Sequence, residues 1–389
     1  MPEALAPFLI HLPAWEALRE AVASGTVPED MRAAIERSAA SAAAAPIRTL
    51  VDRPDQPLRP TDDPHAYASI GTYFYPNPDT PDGMPWVSRD GEFSPVFHQY
   101  DRPLWDHTAD TVKTLGEAAY LLDRQDLADR AAEHLHAWMV DPATRMRPDV
   151  LHGQFVPGQC AGRWVGVIDF STRMPAMLDA VRLVWDHLPD DVQAGVRQWC
   201  SLFLHWLVEG PYAADLTDPR QNNHGTFYDR LIVYLALWLG REEIARSRLA
   251  RFVPDRLMTQ ITDDGTQPHE TRRTLSWNYT VMNTIGLIGV AQLADALGPS
   301  PLRAGQPGHD RLRSAVAFLA PYLVGEKEWT WKQIKPIQPL RAWPLVAAAD
   351  RWLGSDGLWQ RWCDHVSLQR TPWLEAWLAF TLDGHPIRK

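Results

Sequence analysis

From residue 104 onward, apolar residues recur at intervals of three and four, and Pro, Gly and Asp interrupt the pattern at short distances. In the stretch 225–240, for example, Leu231, Tyr234, Leu235 and Trp238 share one helical face. The spacing predicts helices over 104–122, 125–139, 171–187, 192–209, 225–240, 242–259, 270–297, 310–324, 339–353, 358–367 and 372–382. Their connections are short, which favours antiparallel neighbours. Residues 1–45 also read as helical and Ala-rich. Residues 46–103 break the pattern: Pro and Asp are frequent, aromatics are interleaved from Tyr73 to Val87, and no helical period persists. So long an irregular stretch in a compact domain points to a functional loop or linker, and its aromatics favour a packed loop. Residues 69–91 are expected to lie over a cleft like a lid. Strand alternation is scarce, with at most a short ribbon at 86–93. The expected fold is all-α, a single domain over 1–389 built of helical hairpins. With no fixed sequence repeat, a closed or partly closed (α/α) toroid is preferred over a solenoid.

Composition narrows the function. The chain has 389 residues, 45% hydrophobic and 22% charged, as expected of a globular protein with a sizeable core. No apolar run approaches membrane-spanning length, so no membrane partner is expected. The net charge of −10 argues against nucleic acid. Five Lys occur, and Lys327, Lys332 and Lys335 fall within nine residues of one another. Cys160, Cys200 and Cys363 lie far apart and suggest neither a disulfide framework nor a thiolate metal site. His134 and His136, two apart on a predicted helix, do not share a face. No Gly-rich phosphate loop, GxSxG or HExxH is present. No cofactor and no metal is therefore expected. The first 24 residues lack a basic start and a clean apolar run, so they do not read as a signal peptide. An intracellular protein and one whose leader has been removed both stay open, as does the oligomeric state.

Two polar clusters carry the candidate chemistry. Asn222-Asn223-His224-Gly225 precedes a long apolar run, and His269 to Tyr279 follows about fifty residues later. Amide and guanidinium groups can hold a carboxylate, imidazole or phenolate can take a neighbouring proton, and a phenol can return one to a leaving oxygen. Asn223, His224, Arg273 and Tyr279 are the catalytic candidates, with Asn222 and Arg272 beside them as binding candidates. Read structurally, the first cluster is a helix N-cap in which Asn223 accepts from first-turn amides, and the second a turn and helix start. Tyr73, Tyr75, Trp86 and Trp277 offer flat faces on which a ligand could stack, although core packing competes for each Trp. Gln154, Arg163, Lys332 and Gln333 could line subsites or make structural hydrogen bonds.

Six segments in order, including GTYFYPNPDTPDGMPWVSRDG at 71–91, DPATRM at 141–146, QNNHGTFYD at 221–229 and the late WTWKQI at 329–334, resemble the alginate-lyase-type superfamily of polysaccharide lyases. Asn-Asn-His-Gly followed by Thr, an aromatic, Tyr and Asp is most similar to the glucuronan/alginate lyases of polysaccharide lyase family 38, and more distantly to the mannuronate lyases of family 5. The resemblance implies an (α/α) toroid, an acidic polysaccharide substrate, and functional residues at Asn222, Asn223, His224, Arg273 (or Arg272) and Tyr279. The sequence departs at His152, where relatives carry Tyr, which puts subsite chemistry and substrate choice in question.

The reaction implied is β-elimination from a 4-linked uronate. The C5 proton is weakly acidic until the C6 carboxylate is neutralised, a role assigned to Asn222 or Asn223 and Arg273. Preorganised donors of this kind are worth roughly 3–4 kcal/mol each. In mannuronate and glucuronate H5 and O4 lie on one side, so a single phenol, Tyr279, could be base and then acid. In guluronate they lie on opposite sides and two residues are needed. A phenol near its ordinary pKa of about 10 is a poor base, so a cation such as Arg273 should stand beside it. His224 is either the base or a carboxylate donor. Two alternatives compete with a lyase: a glycoside hydrolase using Asp229 and Glu270, and a polyuronate-binding protein that lost activity at His152.

Overall fold

A computed structural model describes residues 7–213, 222–298, 302, 304–355 and 357–382. The first six residues of the expected helical start, and Gln221 of the QNNHG segment, lie outside the described residues. The chain divides into two compact units, 1–215 and 216–389.

In the first unit, helices α1 (Leu12–Ala23) and α2 (Glu29–Ala43) pack on the long α3 (Arg102–Leu122), which also meets α4 (Gln125–Leu135) and α5 (Met174–Arg182). Pro at the start of α1, α3 and α5 suits a first turn whose amides have no helical partner. A Cβ on Gly116 would lie 2.8 Å from the carbonyl oxygen of Ala180, so glycine lets α3 and α5 approach closely. The core is aromatic: Trp105 stacks on Phe170 at 4.1 Å, and Phe170 meets Phe203 of α6 (Asp190–Glu209) at 5.5 Å.

The irregular stretch before α3 is packed, as its aromatics suggested. Phe74–Tyr75 pairs antiparallel with Val87–Ser88, within the ribbon expected at 86–93. A second pairing escaped the sequence pattern: Ala68–Ile70 runs parallel to His152–Phe155. All three residues of the first strand are buried, and a strand buried on both faces shows no alternation to read. A small core of Ala68, Ile70, Trp86, Tyr100, Phe155 and Val156 lies beside this pairing.

The second unit is built on α7 (Asn223–Trp238), which packs against α8 (Glu242–Phe252) and α9 (Ser276–Asp295), with α10 (Pro307–Leu323), α11 (Trp343–Ala348), α12 (Leu358–His365) and α13 (Leu374–Leu382) completing it. Both α7 and α9 are buried on nearly every side, as central helices are. Gly286 permits their crossing, since a Cβ there would lie 2.9 Å from Thr226 Cγ2 and 3.1 Å from Phe227. The single helix expected over 270–297 is two. A turn of helix, Pro268–Thr271, stops, and α9 begins at Ser276 after Leu275 pairs with Gln333. Three expected helices also contain wide π-turns, at 136–140, 253–257 and 349–353, the second followed by a further turn of α-helix at Met258–Gln260. No described helix is long and apolar enough to cross a membrane.

His134 on α4 is fully buried. Burial, helped by Arg130 and His107, lowers its pKa from 6.5 to about 4. The folded state therefore keeps the ring neutral while the unfolded chain takes up a proton below about 6.5. Stability contributed at this site should be intact above that pH and fall as pH drops toward 4, by about 2 kcal/mol between pH 6.5 and 5. Urea unfolding of the parent and His134→Gln across this range checks it: the variant should lose that part of the pH slope, and an identical slope would contradict the assignment.

Candidate active site

Each residue of the segment 222–229 has a distinct local role. Asn222 is the N-cap of α7, with its Oδ1 accepting from the His224 amide at 3.1 Å. The structural reading of this cluster as a cap named Asn223, and the capping residue is Asn222. Asn223 faces the other cluster instead. Its backbone amide donates to Glu270 Oε1 at 2.7 Å and its Nδ2 to Glu270 Oε2 at 2.8 Å. Both residues are 1% exposed. His224 follows, half-buried. A Cβ on Gly225 would lie 2.8–3.0 Å from the guanidinium of Arg256, so glycine here makes room for a buried arginine. That arginine pairs with Asp229 at 2.9 Å, and Arg248 pairs with the other Asp229 oxygen.

Beneath α7 lies a buried amide network. Gln260 Nε2 donates to the Asn222 carbonyl at 3.2 Å, while its Oε1 accepts from Thr226 at 3.0 Å and from Asn283 at 2.8 Å. Asn283 also donates to Gln267 at 2.7 Å, and Gln267 to Thr284 at 2.7 Å. All these side chains are at most 1% exposed. The sequence pattern did not single them out. The available signal was Thr280, Asn283 and Thr284 set in the otherwise apolar run of α9, because buried polar groups are kept where they are hydrogen-bonded.

The second cluster places Arg273 directly over Tyr279, with the guanidinium carbon 3.7 Å from the ring centroid. Both are half-buried, whereas Arg272 is exposed. Arg273 is thus the arginine engaged with the phenol. Glu270 feels both positive charges. Burial pushes its pKa up from 4.5 to about 7, against the lowering effects of the Asn223 hydrogen bonds, Arg273 and Arg272. Trp277 is 5% exposed and packs edge-on against Trp329 at 5.1 Å, leaving little ring for a sugar. Gln333 is held by structural hydrogen bonds. Its Oε1 accepts from the Trp277 amide at 3.1 Å, and its Nε2 donates to Asn278 at 2.6 Å. Lys332 is exposed, and its carbonyl accepts from Ser276 Oγ at 2.7 Å.

The remaining six candidates belong to the first unit. Gln154 is 6% exposed in a left-handed conformation (φ 48°), a strained position for a non-glycine residue. Its Nε2 donates to Asp169 at 3.0 Å and its Oε1 accepts from Arg163 at 3.2 Å. Asp169, fully buried, also accepts from Tyr67 at 3.0 Å, Ser69 at 2.5 Å and Arg102 at 2.8 Å. Gln154 and Arg163 therefore belong to one hydrogen-bonded hub. His152 sits at the start of its strand with Nδ1 2.9 Å from the Ala161 carbonyl. Tyr73 and Tyr75 are half-buried; Tyr75 donates to the Phe93 carbonyl and lies under Arg89. Trp86, at 3% exposure, is a core residue and offers no open face.

Similarity to known proteins decides the family. The family model for alginate lyase matches residues 51–329. The chain belongs to the alginate lyase family, and it is a polysaccharide lyase. An alginate lyase from Bacteroides ovatus superposes with a TM-score of 0.86 at 26% identity, covering 97% of this chain and 99% of that one. Alginate lyase A1-III from Sphingomonas species A1 gives 0.53 at 17% identity, covering 92% and 93%. A variant of A1-III with a histidine replaced by alanine, complexed with a tetrasaccharide, gives 0.51 at 16%, covering 87% and 85%. No curated protein matches the sequence. The all-α fold is of the (α/α) toroid class found in the alginate lyases. The assignment to family 38 in particular does not follow from these matches. The hydrolase alternative is also disfavoured by the geometry. Its two carboxylates, Asp229 and Glu270, are each 1% exposed and already held by arginines and by Asn223.

Above pH 7 Glu270 is ionised and both oxygens accept from Asn223. Below it the proton occupies one acceptor site and loosens the pair. A pH profile of kcat/KM should therefore rise through about pH 7. Glu270→Gln should remove that inflection and lower kcat/KM roughly tenfold, the equivalent of one lost hydrogen bond of about 1.4 kcal/mol. An unchanged inflection in the variant would assign it to another group.

Proposed function

We propose that this lyase cleaves alginate, and 4-linked glucuronan by the same chemistry, through metal-independent β-elimination at Tyr279. The C6 carboxylate of the reacting residue is neutralised chiefly by Arg273, with Asn223 adding the second N–H of its Nδ2, the first being held by Glu270, and with Asn222 shaping the helix start. Tyr279 removes the C5 proton, the C5–H electrons form the C4=C5 double bond, the C4–O bond breaks, and the phenol returns the proton to the leaving oxygen. His224 either helps to hold the carboxylate or takes the proton in place of Tyr279. The observation that carries the reading is the Arg273 guanidinium 3.7 Å above the Tyr279 ring. A fixed cation there stabilises developing phenolate charge and presents its N–H fork to a carboxylate. A single phenol suits mannuronate and glucuronate, where H5 and O4 share a side, better than guluronate.

Product analysis over mannuronan, guluronan and glucuronan tests this. Unsaturated ends, detected by ultraviolet absorbance, should form from mannuronan and glucuronan, more slowly from guluronan, and with undiminished rate in chelator. Saturated reducing ends, or no product from any uronan, would refute the proposal. Loss of activity in chelator would mean that a cation, and not Asn223 with Arg273, neutralises the carboxylate.

A further inference from the structure

The loop that follows α10 combines two features that the reacting residues do not account for. Phe318, Tyr322, Trp329 and Trp331 form one continuous ring cluster, with centroids 4.7 Å apart for Trp329 and Trp331, 5.2 Å for Tyr322 and Trp329, and 5.5 Å for Phe318 and Trp331. All four residues are half-buried. Around them stand Lys327, Lys332 and Lys335, all exposed, and Ile334 at 45% exposure. Three of the chain's five lysines thus gather in nine residues of a protein with net charge −10. Of the two acidic residues in the same loop, Glu326 is paired with Arg361 at 2.6 Å, leaving Glu328 exposed beside the lysines.

A solvated lysine run needs no anchoring, but this loop is fixed. Trp329 Nε1 donates to Ser276 Oγ at 2.8 Å, Ser276 Oγ to the Lys332 carbonyl at 2.7 Å, and the Ile334 amide to the Thr274 carbonyl at 3.0 Å. The anchors are Thr274 and Ser276, the latter opening α9, five and three positions before Tyr279. Apolar sugar faces stack on aromatic rings, and ammonium groups pair with carboxylates. A local excess of positive charge on an acidic protein selects an anionic occupant.

We infer that this lysine-rimmed aromatic face is a distal subsite that grips the polyuronate chain beyond the residue undergoing elimination. The inference rests on the lyase reading above and extends it. The subsite contributes affinity for long substrate and takes no part in proton transfer.

Two variants test it, Trp331→Ala and the surface double change Lys327→Glu with Lys335→Glu, the two lysines both at exposed positions. Kinetics are measured on mannuronate-rich alginate and on a mannuronate tetrasaccharide. KM for the polymer should rise roughly tenfold in each variant, with kcat within about twofold of the parent and tetrasaccharide kinetics nearly unchanged. The charge variant should also lose much of the salt dependence of polymer KM. Unchanged polymer KM in the charge variant would overturn the inference, and so would equal damage on polymer and tetrasaccharide. Retention of the proteins in alginate-containing gels separates the two claims. A parent that binds alginate without forming unsaturated product would refute the lyase reading, and the variants' retention would still decide the subsite.

Discussion

The two buried hydrogen bonds from Asn223 to Glu270 are the constraint on which the candidate site depends. They join residues 47 positions apart and fix the start of α7 to the turn that carries Arg273. A carboxylate at 1% exposure is costly to bury, and it is kept there by a backbone amide, a side-chain amide and the positive charge of Arg273 and Arg272. Removing any one member leaves the others unsatisfied in a poorly hydrated place. The amide network of Gln260, Gln267 and Asn283 extends the same logic downward, holding the Asn222 carbonyl from below. Its donors are all paired, and a buried hydrogen-bonded network of this kind fixes a single geometry more sharply than an apolar core would. An elimination site needs that rigidity, because donors aimed at developing charge are effective only when they do not have to reorganise.

Much of the fold was legible in the sequence, because amphipathic helices announce themselves by spacing. The helices at 104–122, 192–209, 225–240 and 310–324 lie within a few residues of where the apolar period put them. What was illegible follows from burial and long-range partners. The strand His152–Phe155 pairs with a strand buried on both faces, so no alternation marked the pair. The break before Ser276 depends on Gln333 and Lys332, more than fifty residues away, which satisfy the first amides and hydroxyl of α9 in place of a local cap.

The site divided in the same way. Residue types at Asn223, Arg273 and Tyr279 pointed to carboxylate chemistry, but their partners could not be read. Glu270 offered itself as a possible acid and is in fact the acceptor that orients Asn223. Gly225 carried no assigned role in the sequence, and its lack of a side chain accommodates Arg256. Trp86 and Trp277, plausible sugar platforms by type, are packed at 3% and 5% exposure. Aromatic identity alone does not separate a platform from a core residue; exposure does, and Trp329 and Trp331 beside the lysines at 327–335 are half-buried where Trp86 and Trp277 are buried.

The most direct measurement of the central claim is single-turnover elimination by the parent enzyme and Tyr279→Phe, each saturated with mannuronate-rich alginate, with binding followed in parallel. If the phenol beneath Arg273 carries the proton, the variant should lose at least roughly a thousandfold in the elimination rate, in keeping with loss of general acid–base catalysis, while its affinity for the polymer stays within a few-fold of the parent. Near-parental elimination by Tyr279→Phe would contradict the claim and place the proton carrier elsewhere, with His224 the next residue to replace.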